Sequence, residues 1–253
     1  MLGEQLDVAE ITERGLVGDR AYALVDRLTG RVVSAKNPKK WPRMLEFRAS
    51  FLEPPRADQN VPPVRITLPN GRMITSEQSD CDLILSESFG REVTLSSVVP
   101  KTPKLEEYWP DMADLAHRDT TTDESMPMGT FFDASAIHVV TNATLNRLRE
   151  LQPEGSFDVR RFRPNVLVEH SSMRKAFIEN SWVGRTIKIG EIVQLNIEGL
   201  CPRCVMTTLP QGNLPADAEV LRSAAQHNGA NVGVYASVVK GETVRPGDPV
   251  TIR

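Results

Sequence analysis

The sequence has little of what would mark an extracellular, nucleic-acid-binding or membrane protein. It holds only 3 cysteines in 253 residues, too few for a disulfide framework in a chain of this size. Its 30 basic residues are balanced by 33 acidic ones, so no basic field suggests a nucleic-acid partner. No apolar run approaches the roughly 20 residues of a membrane span, and the first residues do not resemble a secretory signal. We therefore expect a cytoplasmic protein without a membrane span.

Short strand-like segments dominate the sequence, and helical patterns are rare. Residues 64–68, 186–189 and 232–239 are rich in β-branched side chains, which is typical of strands. The exceptions are 142–151, with leucines on one helical face, and 217–226, which is followed by Asn228-Gly229. The sequence therefore predicts a mostly β, α+β fold with a few helices.

The composition divides the chain into three parts. We expect residues 1–97 to form a small β-barrel-like domain, within which 76–89 fits either a helix or a strand. Residues 98–129 are acidic, have little apolar periodicity and contain prolines at positions 100, 103, 110 and 127. We expect a long connecting loop there, with a lid over a cleft as the alternative. Residues 130–253 form the second predicted domain.

The most informative segment is Gly199 to Thr208, which contains Cys201-Pro202-Arg203-Cys204. A guanidinium ion stabilises a neighbouring thiolate, so we expect a lowered cysteine pKa here. Such a thiolate is a nucleophile, a redox partner or a soft-metal ligand. The next residues, 205–208, favour a strand, which predicts a loop–strand junction facing a cleft.

Other interpretations of this cysteine pair remain. A zinc site needs further cysteine or histidine ligands at suitable spacing, whereas the 4 histidines of the chain are scattered. A thioredoxin-type dithiol opens a helix in a βαβ unit; the context differs here, but a dithiol stays open. Two buried structural cysteines are the serious competitor, although Arg203 between them needs solvent or a partner.

Three further clusters carry polar chemistry, and each is weak alone. Gly15 to Arg20 offers an arginine for a phosphate, or it is a plain turn. Phe132 to Ser135 places a carboxylate and a hydroxyl at a strand start, which is usually local capping. Arg160 to Asn165 groups arginines before Pro164, so it is either an anion clamp or a solvated basic loop.

Taken together and in order, these motifs resemble MOSC-domain proteins. The matching segments are 15–20, 33–38, 133–135, 162–165, 201–208 and 233–248, and the first half resembles the β-barrel domain that often precedes MOSC. The nearest relatives in this resemblance are the mitochondrial amidoxime-reducing components and their bacterial counterparts. That family uses a molybdenum cofactor, a molybdopterin, to reduce N-hydroxylated compounds with electrons from a separate donor protein.

The resemblance implies a set of site residues. Cys204 corresponds to the molybdenum ligand and, with Asp133, to the catalytic residues. The implied cofactor contacts are Arg20, Asp133, Ser135, Arg163, Asn165 and Arg203. Ala134 stands where the mitochondrial enzymes have a threonine, so one hydroxyl contact is lost. The chemistry agrees, because molybdenum accepts a soft thiolate and a cofactor phosphate suits arginine forks.

One departure from the family concerns the first residues. In the family a strand ending in Tyr-Pro-Val-Lys-Ser directly precedes the segment that matches 1–4, and its lysine and serine contact the cofactor. Either the sequence is short at this end or the protein lacks the strand. Without the strand, we expect the first sheet to be incomplete, and the site to lack two anion contacts and to bind cofactor poorly.

The resemblance leaves more than one function open. The first hypothesis is a molybdenum-cofactor reductase of N-hydroxylated small molecules. The sequence contains no flavin or iron–sulfur motif, so a partner protein must supply electrons. The alternative is a sulfur carrier or a cofactor-binding or delivery protein without reductase activity. A pyridoxal-phosphate domain, as in molybdenum-cofactor sulfurases, has no room in this chain.

Overall fold

A computed structural model describes residues 1–113, 115, 117–170 and 175–253. Of the acidic segment 98–129, Asp114 and Ala116 lie outside the described residues. No helix in the described ranges has the length and apolar character needed to cross a bilayer.

The chain is mostly β. The strands are β1 (Ala9–Thr12), β2 (Gly15–Leu16), β3 (Ala23–Asp26), β4 (Arg48–Phe51), β5 (Val64–Thr67), β6 (Met73–Thr75), β7 (Val93–Ser96), β8 (Lys104–Trp109), β9 (Thr120–Ser125), β10 (Ile137–Thr141), β11 (Val166–Val168), β12 (Thr186–Ile189), β13 (Val193–Pro202), β14 (Asn231–Lys240), β15 (Thr243–Val244) and β16 (Val250–Ile252). The helices are α1 (Cys81–Phe89), α2 (Asn142–Leu151) and α3 (Glu219–Asn228), with 3₁₀ turns at Met44–Glu46, Val159–Arg161, Ile178–Trp182 and Val205–Thr208.

A six-stranded sheet organises the second half, in the order β11-β10-β14-β13-β12-β16. Only the β10–β11 pair is parallel. Strand β10 is buried along its whole length, because Val139 packs into a core on one face and Val140 packs under α2 and α3 on the other. Cys201 lies near the end of β13, so this sheet determines its position.

Local signals set the bounds of α2 as predicted. The Thr141 hydroxyl accepts a hydrogen bond from the backbone N–H of Thr144 at 3.1 Å, which caps the helix start. Leu145 and Leu148 face the core. Helix α3 ends at Gly229, whose φ of 55° lies in the left-handed region that favours glycine.

Two small sheets, β4-β5-β6 and β3-β7, surround a separate core in the first half. Phe47, Ile66 and Leu85 lie fully buried in it, and Phe89 stacks on Phe47. The ambiguous segment 76–89 resolves as helix α1, which begins at Cys81 and ends at Gly90 in the left-handed region.

The first strands belong to the second core. Strand β1 pairs with β15 and with β2, and Ile11 is buried with the residues of the six-stranded sheet. A Cβ atom added at Gly241 would lie 2.1 Å from the Ile11 carbonyl oxygen, so only glycine fits this close approach. Residues 9–16 therefore tie the predicted first domain to the second.

The prediction of an irregular loop at 98–129 is wrong, because β8 and β9 form a hairpin there. The prolines at 100, 103, 110 and 127 flank the two strands and do not interrupt them. Leu105 and Glu107 alternate as buried positions along β8. Backbone hydrogen bonds from Val32 to Lys104 and from Tyr108 to Lys36 attach the hairpin to the first half.

One other local prediction needs correction. Residues 205–208 form a 3₁₀ turn, because the hydroxyls of Thr207 and Thr208 donate to the carbonyls of Cys204 and Val205 at 3.0 and 2.7 Å. This local bonding outweighs their strand propensity.

Candidate functional site

Asp133 lies at the centre of a cluster of charged side chains, where the two halves of the chain meet. One carboxylate oxygen accepts from the Arg20 guanidinium, and the other lies 3.2 Å from the Lys36 ammonium nitrogen. Burial alone would raise the pKa of Asp133, but Arg20 and Lys36 outweigh it and hold this pKa well below its usual range. Asp133 is therefore an ionised acceptor.

Two arginines of the site adopt strained backbone conformations. Arg20 and Arg163 have φ angles of 51° and 50°, in the left-handed region that side chains other than glycine, asparagine and aspartate rarely enter. Such strain costs about 1–3 kcal/mol for each residue and tends to occur at functional sites. The fold thus holds both arginines in place at a cost in stability.

Arg163 has a half-buried guanidinium that forms no hydrogen bond or ion pair within the described ranges. Burial and then the neighbouring Arg20 lower its pKa, and the carboxylates of Asp19 and Asp133 only partly oppose them. Arg163 therefore carries a positive charge that no ion pair within the described ranges neutralises, which suits an anion.

Arg203 is buried between the two cysteines. Its Nη1 donates to the Cys201 sulfur at 2.8 Å, and its Nη2 donates to the Phe162 carbonyl oxygen at 2.9 Å. Its Nε is buried and finds no acceptor among the described residues. A buried donor left unpaired costs about 1–3 kcal/mol, so this N–H also indicates a missing acceptor.

The cysteines differ in their ionisation. Burial would raise the pKa of Cys201, but Arg203 and His138 outweigh it and lower this pKa to about 6. For Cys204 burial dominates; Lys36 and Arg203 only partly offset it, and the pKa rises to about 11. The predicted depression is confirmed for Cys201, whose sulfur accepts from Arg203. It is wrong for Cys204, where burial outweighs the nearby cations.

Asn165 and Ser135 hold segments together at the edge of the site. The Asn165 amide donates to Asp19 at 2.8 Å and accepts from the His138 backbone N–H at 2.9 Å. The Ser135 hydroxyl donates to the Ala236 carbonyl oxygen at 3.0 Å. Both predicted cofactor contacts thus already have partners within the protein.

The arginines of 160–163 have separate roles. Arg161 is fully buried and donates to the carbonyl oxygens of Ser156, Thr207, Leu209 and Pro215. It therefore fixes the segment that follows Cys204. Arg160 pairs with Asp158 at the surface. Of the three, only Arg163 remains for an external anion.

Lys36 and Glu107 are site residues that sequence reasoning missed. The Lys36 ammonium nitrogen lies 3.0 Å from a Glu107 carboxylate oxygen, and both side chains are largely buried. Glu107 reaches the site on β8, within the segment predicted to be a loop. The alternation of buried Leu105 and Glu107 was the available signal, but nothing local links Glu107 to Lys36.

The cluster offers one thiol for a soft metal and several cationic donors for an anionic group. The described part of the chain contains no group of three or more histidine, cysteine or carboxylate side chains that could hold a metal ion by themselves.

Comparison with known proteins identifies one family. Residues 128–251 match the family model described as the MOSC domain. No curated protein matches the chain.

Among solved structures the chain is similar to YiiM from Geobacillus stearothermophilus, with a TM-score of 0.34 and 15% identity over 47% of this chain and 54% of that one. It is also similar to the YuaD protein from Bacillus subtilis, with a TM-score of 0.40 and 19% identity over 50% of this chain and 69% of that one. The chain spans about half the length of YiiM. On the family match, the chain contains a MOSC domain at residues 128–251.

Proposed function

We propose that this chain binds a molybdenum cofactor where its two halves meet and reduces N-hydroxylated compounds with electrons from a separate donor protein. MOSC domains are generally linked to molybdenum-cofactor binding. The observation that carries the proposal is the buried Arg203 Nε–H, which has no acceptor among the described residues. Arg203 also bonds the carbonyl of Phe162, next to Arg163, whose guanidinium forms no ion pair there.

The residues present fit such a group. The Cys204 sulfur is a soft ligand of the kind molybdenum accepts, and metal binding would displace its proton despite the raised thiol pKa. Arg163 and Arg203 would donate to the cofactor phosphate, since guanidinium groups match phosphate geometry. Arg20 would add charge from the first half, while Asn165 and Ser135 would border the group and hold its walls in place.

The expected reaction converts a hydroxylamine or amidoxime N–OH group to N–H and water, and it consumes two electrons and two protons. When bound, the cofactor would pass the electrons from the donor to the substrate. Asp133 stays ionised at neutral pH, so it would accept a hydrogen bond from the substrate and orient it, and it would not serve as the proton donor.

The site draws on both halves, so we also propose the division 1–97, 98–129 and 130–253 as a first domain, a connecting segment and the MOSC domain. Strands β1 and β2 are the exception, because they pack with the second core. Contacts across this boundary place Arg20 against Asp133 and Asp19 against Asn165.

The test is to purify the chain from a host that makes the cofactor and to measure molybdenum per chain and reduction of a model amidoxime. Cys204→Ser should lose at least about tenfold in both, because a hydroxyl is a harder and more basic ligand. Cys81→Ser is the matched control, since Cys81 lies buried in the other core. A wild-type chain without molybdenum would contradict the proposal. Molybdenum without reduction would instead favour a cofactor-binding, delivery or sulfur-carrying protein.

A further inference from the structure

The Arg203 side chain is held in one orientation by contacts within the protein. Its Nη1 donates to the Cys201 sulfur at 2.8 Å, and its Nη2 donates to the Phe162 carbonyl oxygen at 2.9 Å. The guanidinium carbon also lies 5.9 Å from the centroid of the Phe162 ring, within the range of a cation–π contact. At the other end of the residue, the Arg203 backbone N–H donates to the Ala230 carbonyl oxygen at 2.7 Å. Both ends of Arg203 are therefore fixed.

One of the three guanidinium nitrogens has no partner among the described residues. Arg203 is 8% exposed, and its Nε–H is the buried donor without an acceptor. The guanidinium group is planar and its donors have fixed relative directions, so the two Nη contacts also fix the direction of the Nε–H. A donor that is already oriented suits an external acceptor, because binding then requires no rearrangement of the side chain.

Cys201 supplies the negative charge beside this guanidinium. Within the described ranges, Arg203 forms no ion pair with a carboxylate. Burial would raise the pKa of the fully buried Cys201, but Arg203 and His138 outweigh it and lower this pKa to about 6. The sulfur is then mainly a thiolate at neutral pH, and a hydrogen bond to an ionised acceptor is stronger than one to a neutral acceptor. The function proposed above assigns no role to Cys201.

We propose that Cys201 is a positioning residue, whose sulfur acts as the counter-ion of Arg203 and keeps the Nε–H of that arginine oriented for an anionic acceptor of the cofactor. The inference rests on the proposed function, because the cofactor phosphate supplies the acceptor. Cys201 acts through Arg203 and needs no contact with the cofactor. Without the sulfur, Nη1 would lose its partner and the buried guanidinium would lose its anion. The guanidinium would then turn to other acceptors, and cofactor binding would have to reorient it.

A packing role and a positioning role of Cys201 predict different results. Cysteine and aspartate side chains are similar in size, but a carboxylate restores the negative charge that alanine removes. If Cys201 only filled space, a buried carboxylate would be more harmful than alanine. If Cys201 positions Arg203, aspartate is the better replacement, because carboxylates pair well with guanidinium groups.

The experiment uses the full chain, purified from a cofactor-making host, and measures molybdenum per folded chain. Cys201→Ala should lower the molybdenum content about tenfold, and Cys201→Asp should restore it to within about threefold of wild type. Cys81→Ala is the matched control: Cys81 is buried in the first core, and burial raises its pKa to about 11. Its thiol is neutral and distant from Arg203 in the fold, so its loss should leave the molybdenum content unchanged.

A second measurement tests the ion pair without the cofactor. The ultraviolet absorbance of thiolate is compared at neutral pH in the metal-free wild type, Cys201→Ala and Arg203→Met. Wild type should exceed Cys201→Ala by about one thiolate per chain, and Arg203→Met should lose most of this excess, because burial then dominates the pKa of Cys201. An excess that persists in Arg203→Met would overturn the role of Cys201 as the counter-ion of Arg203.

The outcomes separate the inference from the function on which it rests. A loss of molybdenum in Cys201→Ala with recovery in Cys201→Asp supports the inference. An unchanged content in Cys201→Ala, or a folded Cys201→Asp as low as Cys201→Ala, overturns it and leaves the proposed function standing. If Cys201→Asp does not fold, Cys201→Ser decides: a content nearer to that of Cys201→Ala supports the inference, and a content nearer to that of wild type overturns it. A wild-type chain without molybdenum overturns both.

Discussion

The two sides of the candidate site differ in how their charges are neutralised. On one side, Arg20 and Lys36 pair with Asp133 and Glu107. On the other side, the Arg163 guanidinium has no paired anion within the described ranges, and Arg203 keeps one buried N–H without an acceptor. On the first side every charged group has an ion-pair partner. On the second side, Arg163 has no ion-pair partner and one N–H of Arg203 has no acceptor within the described ranges, so both remain available to a ligand.

This difference separates residues that stabilise the fold from residues that bind. A buried charge with all its hydrogen bonds made is destabilising to remove, because its partners are left unsatisfied. A charge held in a strained conformation without a partner costs stability in the free protein. Substitutions on the two sides should therefore produce opposite patterns of stability and ligand binding.

The largest effect is expected at Arg161. Arg161→Met removes the donors for the carbonyl oxygens of Ser156, Thr207, Leu209 and Pro215 and should lower the free energy of unfolding by about 3 kcal/mol or more. Arg160→Met is the matched control, since its exposed pair with Asp158 contributes about 0–1 kcal/mol. Urea unfolding of both variants measures the difference, and equal losses would contradict the role assigned to Arg161.

Arg163 should show the reverse pattern. Arg163→Lys keeps the charge but cannot make a planar bidentate contact, so molybdenum per chain should fall about tenfold. The unfolding free energy of the metal-free protein should stay within about 0.5 kcal/mol of wild type. Metal content is measured on protein from a cofactor-making host. An unchanged content would mean that Arg163 belongs to a solvated loop.

Two carboxyl groups, those of Asp133 and Glu179, have pKa values that are shifted in opposite directions. Asp133 faces two cations, whereas the buried Glu179 accepts from the hydroxyls of Thr141 and Thr144, each at 2.7 Å, and from the Thr141 backbone N–H at 3.3 Å. Burial raises the pKa of Glu179, and the threonine hydrogen bonds only partly oppose it. The folded state then holds the Glu179 proton more tightly than the unfolded state does.

The free energy of unfolding of Glu179→Gln, compared with that of wild type, should therefore increase as the pH rises. The wild-type contribution from Glu179 is full below the unfolded value of 4.5 and is lost as the pH rises towards and through the raised folded pKa. Unfolding free energies measured from pH 4 to pH 8 should converge at the acid end and separate in favour of the variant above it. A constant difference across this range would contradict a raised pKa.

Local signals in the sequence were sufficient where an element depends on its own residues. Helix α2 has the predicted bounds because Thr141 caps it and its leucines share one face. The β8–β9 hairpin was missed because its flanking prolines and acidic residues are typical of loops, while its pairing partners are supplied by the fold. The 3₁₀ turn after Cys204 was missed because threonine hydroxyls bond back to nearby carbonyls.

The pairings within the candidate site could not be predicted from the sequence. The motifs pointed to Arg20 and Asp133, which form an ion pair, and to Arg203, which contacts Cys201; their role at a cofactor stays a prediction. The Lys36–Glu107 contact joins residues 71 positions apart, so no local pattern could reveal it. The opposite pKa shifts of the two cysteines depend on burial and on the Arg203 contact with Cys201, which are tertiary features.

The smallest effect is expected at Ser135, where the two sides of the comparison meet. Its hydroxyl already donates to the Ala236 carbonyl oxygen at 3.0 Å, so Ser135→Ala should lower the unfolding free energy by about 1 kcal/mol. Molybdenum per chain should stay within about twofold of wild type, because a hydroxyl that already donates within the protein contributes little to ligand binding. Thr130→Ala is the control, since the Thr130 hydroxyl makes a comparable bond to the Pro127 carbonyl oxygen at 3.0 Å, across the predicted boundary between the connecting segment and the second domain. A large loss of molybdenum in Ser135→Ala alone would show that the hydroxyl changes partner when the cofactor binds, and the separation between paired and unpaired groups would then not hold at this position.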